Sequence, residues 1–262
     1  MNAIILAAGK GERLRPLTKN KPKCLMELFG KSLLQRQIEL YQKLGITDIV
    51  VVTGFKSEQI EFPNISIIKN SKYDTTNMLE TLFCAEHKIS DSTIVSYGDI
   101  IFQQNVLELL IDSKDDISLI VDLNWKNYWE QRFVDPLSDA ESLVINDGYV
   151  SEIGQKVNSY EKICGQYIGL MKFQNSGISQ IKEYYHYAKE NSKNNNNILN
   201  KSIPFMQSYL TDFLNSIITS GIKIKALPIK NGWLEVDTLD DLKLYESLKE
   251  SGKINVFFNE NS

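Results

Sequence analysis

Cysteine is scarce in this 262-residue chain. Cys24, Cys84 and Cys164 are odd in number and far apart, which excludes a disulfide-stapled scaffold and fits reduced thiols. Histidine is scarcer still: His87 and His186 fall in expected helices without metal-ligand spacing, so neither receives a role. No apolar run approaches the roughly 20 residues of a membrane-spanning helix. The N-terminus has no charged region ahead of a long apolar stretch and a small-residue cleavage site. These absences predict a cytoplasmic chain with no membrane insertion. Positive charge is not in excess either, since 29 Lys and Arg stand against 33 Asp and Glu for a formal net charge of −4. A wide basic surface is therefore not implied, and nucleic acid is not an expected partner.

What is present is concentrated at the start. The run Ala3-Ile4-Ile5-Leu6-Ala7-Ala8 has the length and composition of a buried parallel strand. It breaks into Gly9-Lys10-Gly11, whose glycines let backbone N–H groups approach an anion without a Cβ in the way. Arg13, Arg15, Lys19, Lys21 and Lys23 follow closely. Amides followed by a cluster of cations suit a polyphosphate; a surface turn with a solvated basic face would read the same way. The loop is not a Walker loop, because Gly-Lys-Ser/Thr is missing, and a third glycine at the Rossmann offset is missing too.

Along the chain, strands and helices alternate. A helix is expected over Leu33 to Leu44 with Gly45 as its cap, and strands over Asp48 to Thr53 and Ile65 to Lys69. Met78, Leu79, Leu82, Phe83 and Ala85 form a helical stripe that Thr75, Thr76 or Asn77 caps. A strand at Thr93 to Tyr97 ends in Gly98-Asp99, and a helix from Gln104 and a strand from Ile117 follow. This alternation predicts an α/β fold: a Rossmann-like open, mostly parallel mixed sheet with helices on both faces, and ligands at the carboxyl ends of the strands. The later chain adds strands at 143–145, 149–153, 166–173 and 222–229, helices at 176–190 and 203–219, and a final helix at 239–248. Asn146-Asp147-Gly148 signals a hairpin. Trp125 and Trp129 share a helical face, which fits core packing as well as an aromatic pocket for an ammonium group. The Tyr184, Tyr185 and Tyr187 cluster reads as packing, and Asn194 to Asn197 as a polar run with no need to pack, a plain connector or a mobile loop tip. Asp237 or Thr238, after Gly232-Trp233-Leu234-Glu235-Val236, caps the final helix by local pattern. No Gly/Ser- or Pro-rich linker divides residues 1–262, so a single domain is expected.

The string Leu6-Ala7-Ala8-Gly9-x-Gly11-x-Arg13-Leu14-x-Pro16-Leu17-Thr18, then Lys21-Pro22-Lys23, resembles the signature loop of the nucleotidyltransferases that make nucleotide-sugars and related activated head groups. The Asn-rich turn at 70–77, the PLSDAE and GQYIGL segments and GWLEVDT resemble the cytidylyltransferases of the phosphocholine, aminoethylphosphonate and phosphoglutamine type. The resemblance implies the nucleotide-diphospho-sugar transferase type of fold, with residues 1–121 as the nucleotide-binding half and 122–250 as the acceptor-binding half. It implies CTP as donor, a small phosphorylated acceptor, Mg²⁺ as cofactor, and a product used in decorating cell-surface polysaccharide or lipid. The chain is then a monomer or a homodimer. Lys23, Arg13, Asp99 and Asp237 become the catalytic candidates, with Mg²⁺ on Asp99 and Asp237. Leu6, Ala7, Ala8, Gly9, Lys10, Gly11, Thr76, Asn77 and Gly98 are the nucleotide-binding candidates. Trp125, Arg132, Asp139, Glu141, Tyr167, Trp233 and Glu235 are those for the acceptor. A sugar-1-phosphate enzyme using dTTP, UTP or GTP and a catalytically silent nucleotide-binding regulator stay open. A related glycosyltransferase is less suited, because its Asp-x-Asp motif is absent where Tyr97-Gly98-Asp99 ends the strand.

Overall fold

The computed structural model describes residues 1–193 and 196–260. The strands, in chain order, are β1 (Asn2–Ala7), β2 (Glu27–Leu28), β3 (Lys31–Ser32), β4 (Ile49–Thr53), β5 (Ser66–Lys69), β6 (Ser92–Tyr97), β7 (Ile100–Phe102) and β8 (Ile117–Asp122). β9 (Glu141–Asn146), β10 (Tyr149–Lys156), β11 (Gln166–Gln174), β12 (Lys225–Ile229) and β13 (Trp233–Glu235) follow. The helices are α1 (Leu33–Lys43), α2 (Met78–Cys84), α3 (Gln104–Asp112), α4 (Trp125–Arg132), α5 (Ser176–Asn191), α6 (Leu210–Thr219) and α7 (Leu239–Glu250). Nine strands form one sheet in the order β5-β4-β1-β6-β11-β8-β12-β10-β9. Only β11 and β10 run against the other seven. This is the mixed, mostly parallel α/β sheet that the alternation of elements implied.

The apolar run of β1 is buried throughout because helices cover both sheet faces. Ala3, Ile5 and Ala7 pack with Leu33, Leu34 and Ile38 of α1 on one side. Ile4 and Leu6 pack with Leu79 and Leu82 of α2 and Phe213 of α6 on the other. Successive residues point to opposite faces, so one unbroken hydrophobic strand serves two cores. The strands of the two expected halves interleave: β8 lies between β11 and β12.

Two local departures from the sequence pattern have clear causes. The helix expected from Ile203 begins only at Leu210. Before it, Pro204 leads a short 3-10 turn over Phe205–Gln207, and Asp212 accepts the Tyr209 backbone N–H at 2.8 Å, which fixes the later start. Asn197 is buried, donating to the Ile203 carbonyl at 3.1 Å and to Ser208 Oγ at 2.8 Å. It packs as a brace, contrary to the expectation that the 194–197 run has no need to; Asn194 and Asn195 of that run lie outside the described residues.

One ribbon outside the main sheet matters most for the site. β13 pairs antiparallel with β7, Glu235 opposite Ile100, and the ladder continues as Val236 N–H donates to the Asp99 carbonyl at 2.9 Å. Residues more than 130 positions apart are thereby laid side by side. Gln37 of α1 holds the bend between β6 and β7: its amide donates to the carbonyls of Tyr97 at 2.8 Å and Ile100 at 2.7 Å, and its oxygen accepts from Ser96 Oγ at 2.7 Å. Gln37→Leu leaves those buried groups without a partner, an expected loss of about 1–3 kcal/mol. Urea denaturation checks this; an unchanged midpoint would remove Gln37 as the brace of the bend.

Candidate active site

β1 and β6 end side by side, and their following loops open into a cavity of about 380 Å³. Leu6, Ala7, Ala8, Gly9 and Gly11 form one wall, Thr76 and Asn77 another, and Gly98 and Asp99 the floor, with Arg13, Lys23 and Asp237 at the charged end. Gly11 has a φ of 61°, and a Cβ there would stand 2.9 Å from the Lys23 Cβ. Glycine is thus required both by the turn and by the passage of the lysine stem. Thr18 Oγ1 donates to the Gly11 carbonyl at 2.6 Å, closing the loop from the far side.

Lys23 is the centre of the arrangement. Its ammonium donates to Asp99 Oδ2 at 2.7 Å and to Asp237 Oδ1 at 2.7 Å, and Arg13 reaches Asp237 Oδ2 at 2.5 Å. Burial works against the Lys23 charge, but Asp99, Asp237 and Glu235 outweigh it and hold the ammonium's pKa above its ordinary value. Asp237 does not cap α7; Thr238 does, through its hydroxyl and the Asp241 N–H. That leaves both Asp237 carboxylate oxygens turned to cations.

Asp99 and Asp237 also have the chemistry of a divalent metal site. Asp99 Oδ1 is buried without a hydrogen-bond partner, and its other oxygen and that of Asp237 converge on one positive centre. Two carboxylates fit Mg²⁺, which takes its remaining ligands from phosphates and water. A self-contained cluster of three or more acids, histidines or cysteines is absent among the described residues.

Around the nucleotide-side wall, Asn70 donates to Thr76 Oγ1 at 2.9 Å and Thr81 Oγ1 at 3.1 Å, and Asn77 caps α2. Lys10 stands off the cavity lining, its ammonium 5.8 Å from the centre of the Tyr73 ring. Tyr73, Cys24, Thr81 and Tyr97 also line the cavity, and none of them stood among the sequence candidates, although Tyr73 lies in the Asn-rich turn at 70–77. Burial pushes the Cys24 thiol up to about 12, so it stays protonated and inert.

A second cavity of about 200 Å³ shares Met78 and Tyr97 with the first. Asp139, Glu141, Tyr167, Trp233 and Glu235 line it, together with Trp129. Gly169 lies beneath Tyr97, where a Cβ would meet the ring at 2.5 Å. Tyr209 and Thr211 also reach this cavity; sequence reasoning missed them because they sit inside a stretch read as continuous helix.

Two acceptor candidates lie elsewhere. Trp125 is buried among Trp129 and Tyr160 and does not line the cavity. Arg132 has a side chain only 1% exposed and stands behind the wall, donating to Glu235 Oε2 at 2.8 Å and to Asp241 Oδ1 at 2.8 Å. Of the pair Trp125 and Trp129, only the second reaches the cavity, because the helix turns the first toward the core.

The second cavity is acidic. Glu141 is open to solvent but set in a concave wall; burial, then Asp212, Asp139 and Glu235, raise its pKa to about 7. Glutamate-selective ¹³C NMR is expected to show one carboxyl titrating near that value and missing from Glu141→Gln. Titration of Glu141 in the ordinary carboxylate range would contradict the crowding of charge described here.

Comparison with known proteins finds similar chains among the nucleotidyltransferases. Residues 3–135 match the family model described as the MobA-like NTP transferase domain. The chain is 38% identical over 255 residues to the CTP:phosphoglutamine cytidylyltransferase of Campylobacter jejuni, covering 93% of this chain and 98% of that protein. It is 35% identical to the choline-phosphate cytidylyltransferase of Streptococcus pneumoniae over 107 residues, 39% of this chain and 47% of that one. In fold it is similar to the solved CTP:phosphocholine cytidylyltransferase from Streptococcus pneumoniae, with a TM-score of 0.70 at 21% identity over 96% of this chain and 99% of that one. The inositol-1-phosphate CTP transferase from T. maritima gives 0.68 at 21% identity, over 95% and 96%.

Proposed function

Because the chain belongs to the MobA-like NTP transferase family, we propose that it is a CTP-dependent cytidylyltransferase. It joins CMP to a small phosphate or phosphonate that bears a cationic group, with release of pyrophosphate. The observation that carries this reading is Lys23 held at 2.7 Å from both Asp99 and Asp237 at the charged end of the nucleotide-sized cavity. The C. jejuni relative, matched over nearly its whole length, supports CTP as donor and an acceptor of the phosphoglutamine type.

The chemistry is displacement at the α-phosphorus. An acceptor oxygen forms the new P–O bond, the bond to the β-phosphate bridge breaks, and pyrophosphate leaves with the electron pair. The attacking oxygen is already an anion, so no general base is required. The obstacle is repulsion between two anions, and the site answers it by position and charge. Amides of Ala8 to Gly11 and the Arg13 guanidinium take the β- and γ-phosphates. Lys23 exchanges its carboxylate contacts for the α-phosphate, and Thr76 and Asn77 face the base or ribose. Asp99 and Asp237 would hold Mg²⁺, which when bound neutralises phosphate charge. Lys23 holds the reacting α-phosphate in place and Arg13 the leaving pyrophosphate.

In the second cavity, Asp139, Glu141 and Glu235 present carboxylates, with Tyr167 and Trp233 as aromatic walls. The neighbouring cation, Arg132, is already spent on Glu235 and Asp241. That leaves excess negative charge for a positive group on the acceptor, a feature that favours an amine or quaternary ammonium over a sugar phosphate. A cytoplasmic location, where CTP is available, and a product destined for cell-surface decoration belong to the same reading.

Removing one donor from a preorganised site typically costs ~10²–10³ in rate. Lys23→Ala is expected to lose at least that much pyrophosphate release with its circular dichroism unchanged, and Asp99→Asn and Asp237→Asn to abolish the Mg²⁺-dependent rate. Comparison of CTP, UTP, GTP and dTTP, each with phosphocholine, aminoethylphosphonate, phosphoglutamine and sugar 1-phosphates, identifies donor and acceptor. No pyrophosphate from any pair would mark the chain as a silent nucleotide-binding protein.

A further inference from the structure

Arg132 is a charged side chain placed where no substrate can touch it. The guanidinium is enclosed by Tyr128, Trp129 and Phe133, at 5.4, 5.5 and 5.1 Å from their ring centres. Its fork is fully engaged: Nη1 on Glu235, and Nε and Nη2 on the two oxygens of Asp241 at 2.8 and 3.2 Å. Burying such a cation is costly unless the geometry returns something specific.

What it touches is the support of the catalytic segment. Asp241 Oδ2 accepts the backbone N–H groups of Asp237 at 2.9 Å and Thr238 at 2.8 Å. Glu235, the other partner, is held through its backbone as well, by Tyr128 Oη on its N–H at 2.9 Å and by Tyr245 Oη on its carbonyl at 2.7 Å. Residues 235 to 238 are therefore pinned at both ends by groups that meet on one guanidinium, and Val236 between them is pinned to Asp99.

We infer that Arg132 is a positioning residue for the Asp237 carboxylate, acting through Asp241 and separately holding Glu235 in the acceptor wall. The inference rests on the nucleotidyl-transfer reading above. Lysine keeps the charge but not the planar fork, and cannot serve three oxygens of two carboxylates in this geometry. Losing a group that orients a metal-binding residue typically costs about 10–100-fold in metal affinity or rate.

The test uses the full chain with Mn²⁺ as probe, its binding read by electron paramagnetic resonance in the presence of CTP, beside turnover and thermal melting. Arg132→Lys and Asp241→Asn are each expected to weaken Mn²⁺ binding and lower kcat by about 10–100-fold. The double variant is expected to lose no more kcat than the worse single one, because both break one chain of contacts. Arg132→Lys alone should also raise the acceptor KM, since only it releases Glu235. Mn²⁺ affinity and kcat left at wild-type values in the folded variants overturn the inference while the functional reading stands. So do kcat losses that multiply in the double variant. A wild-type chain that binds no Mn²⁺ with CTP overturns the metal reading and this inference together. Should Arg132→Lys fail to fold, Asp241→Asn breaks the same link from the other end and decides the question.

Discussion

A single ammonium group between two carboxylates organises this molecule. Lys23 comes from the loop after the first strand, Asp99 from the end of a central strand, and Asp237 from a short ribbon near the C-terminus. Each is partly withdrawn from water, and the ion pairs among them offset the cost of that burial. Three distant stretches of chain are thereby committed to one point. The sheet supplies the first two by placing β1 beside β6, and the β7–β13 pairing supplies the third. The cations at this point, Lys23 and Arg13, are both held by carboxylates.

The two cavities divide the electrostatic work. The first is bounded by glycines, backbone amides and the basic loop, and suits negative charge. The second carries carboxylates and aromatic rings, and suits positive charge. They share Met78 and Tyr97, so the boundary between the basic and the acidic walls falls at these two residues. Gly169 allows the Tyr97 ring to lie at this junction. Arg132 stabilises the acidic wall from behind without cancelling its charge at the front. Its burial explains how an acidic cavity can be rigid: Glu235 is bonded on its hidden side and still faces the open one.

Much of this was legible in the residues themselves. Buried strands such as Ala3 to Ala7 and Ile49 to Thr53 need no context, because unbroken β-branched and apolar runs suit few other environments. The glycines, Arg13 and Lys23 fit an anion site or a solvated basic turn by spacing, and the resemblance of the whole string to a nucleotidyltransferase loop favoured the first. Less legible were residues whose local pattern has two readings. Asp237 fits a helix cap until Thr238 is seen to take that role. Trp125 and Trp129 lie one helical turn apart, yet only Trp129 meets the second cavity, while Trp125 packs against Trp129 and Tyr160. Arg132 carries the composition of a ligand contact and the position of a buttress.

Chain order and side-chain chemistry by themselves determined the class of fold and the position of a glycine-rich, basic loop after the first strand, because those depend on short-range spacing and on burial of contiguous apolar residues; the choice of Lys23, Asp99 and Asp237 came from the family resemblance. Only the tertiary structure decided which carboxylates meet Lys23, which ones line the second cavity and which cation stays behind the wall. Those outcomes depend on pairings such as Glu235 with Ile100 and Arg132 with Asp241. A contact between residues more than 100 positions apart leaves no periodicity in either segment; it exists only once the sheet and its ribbon have closed.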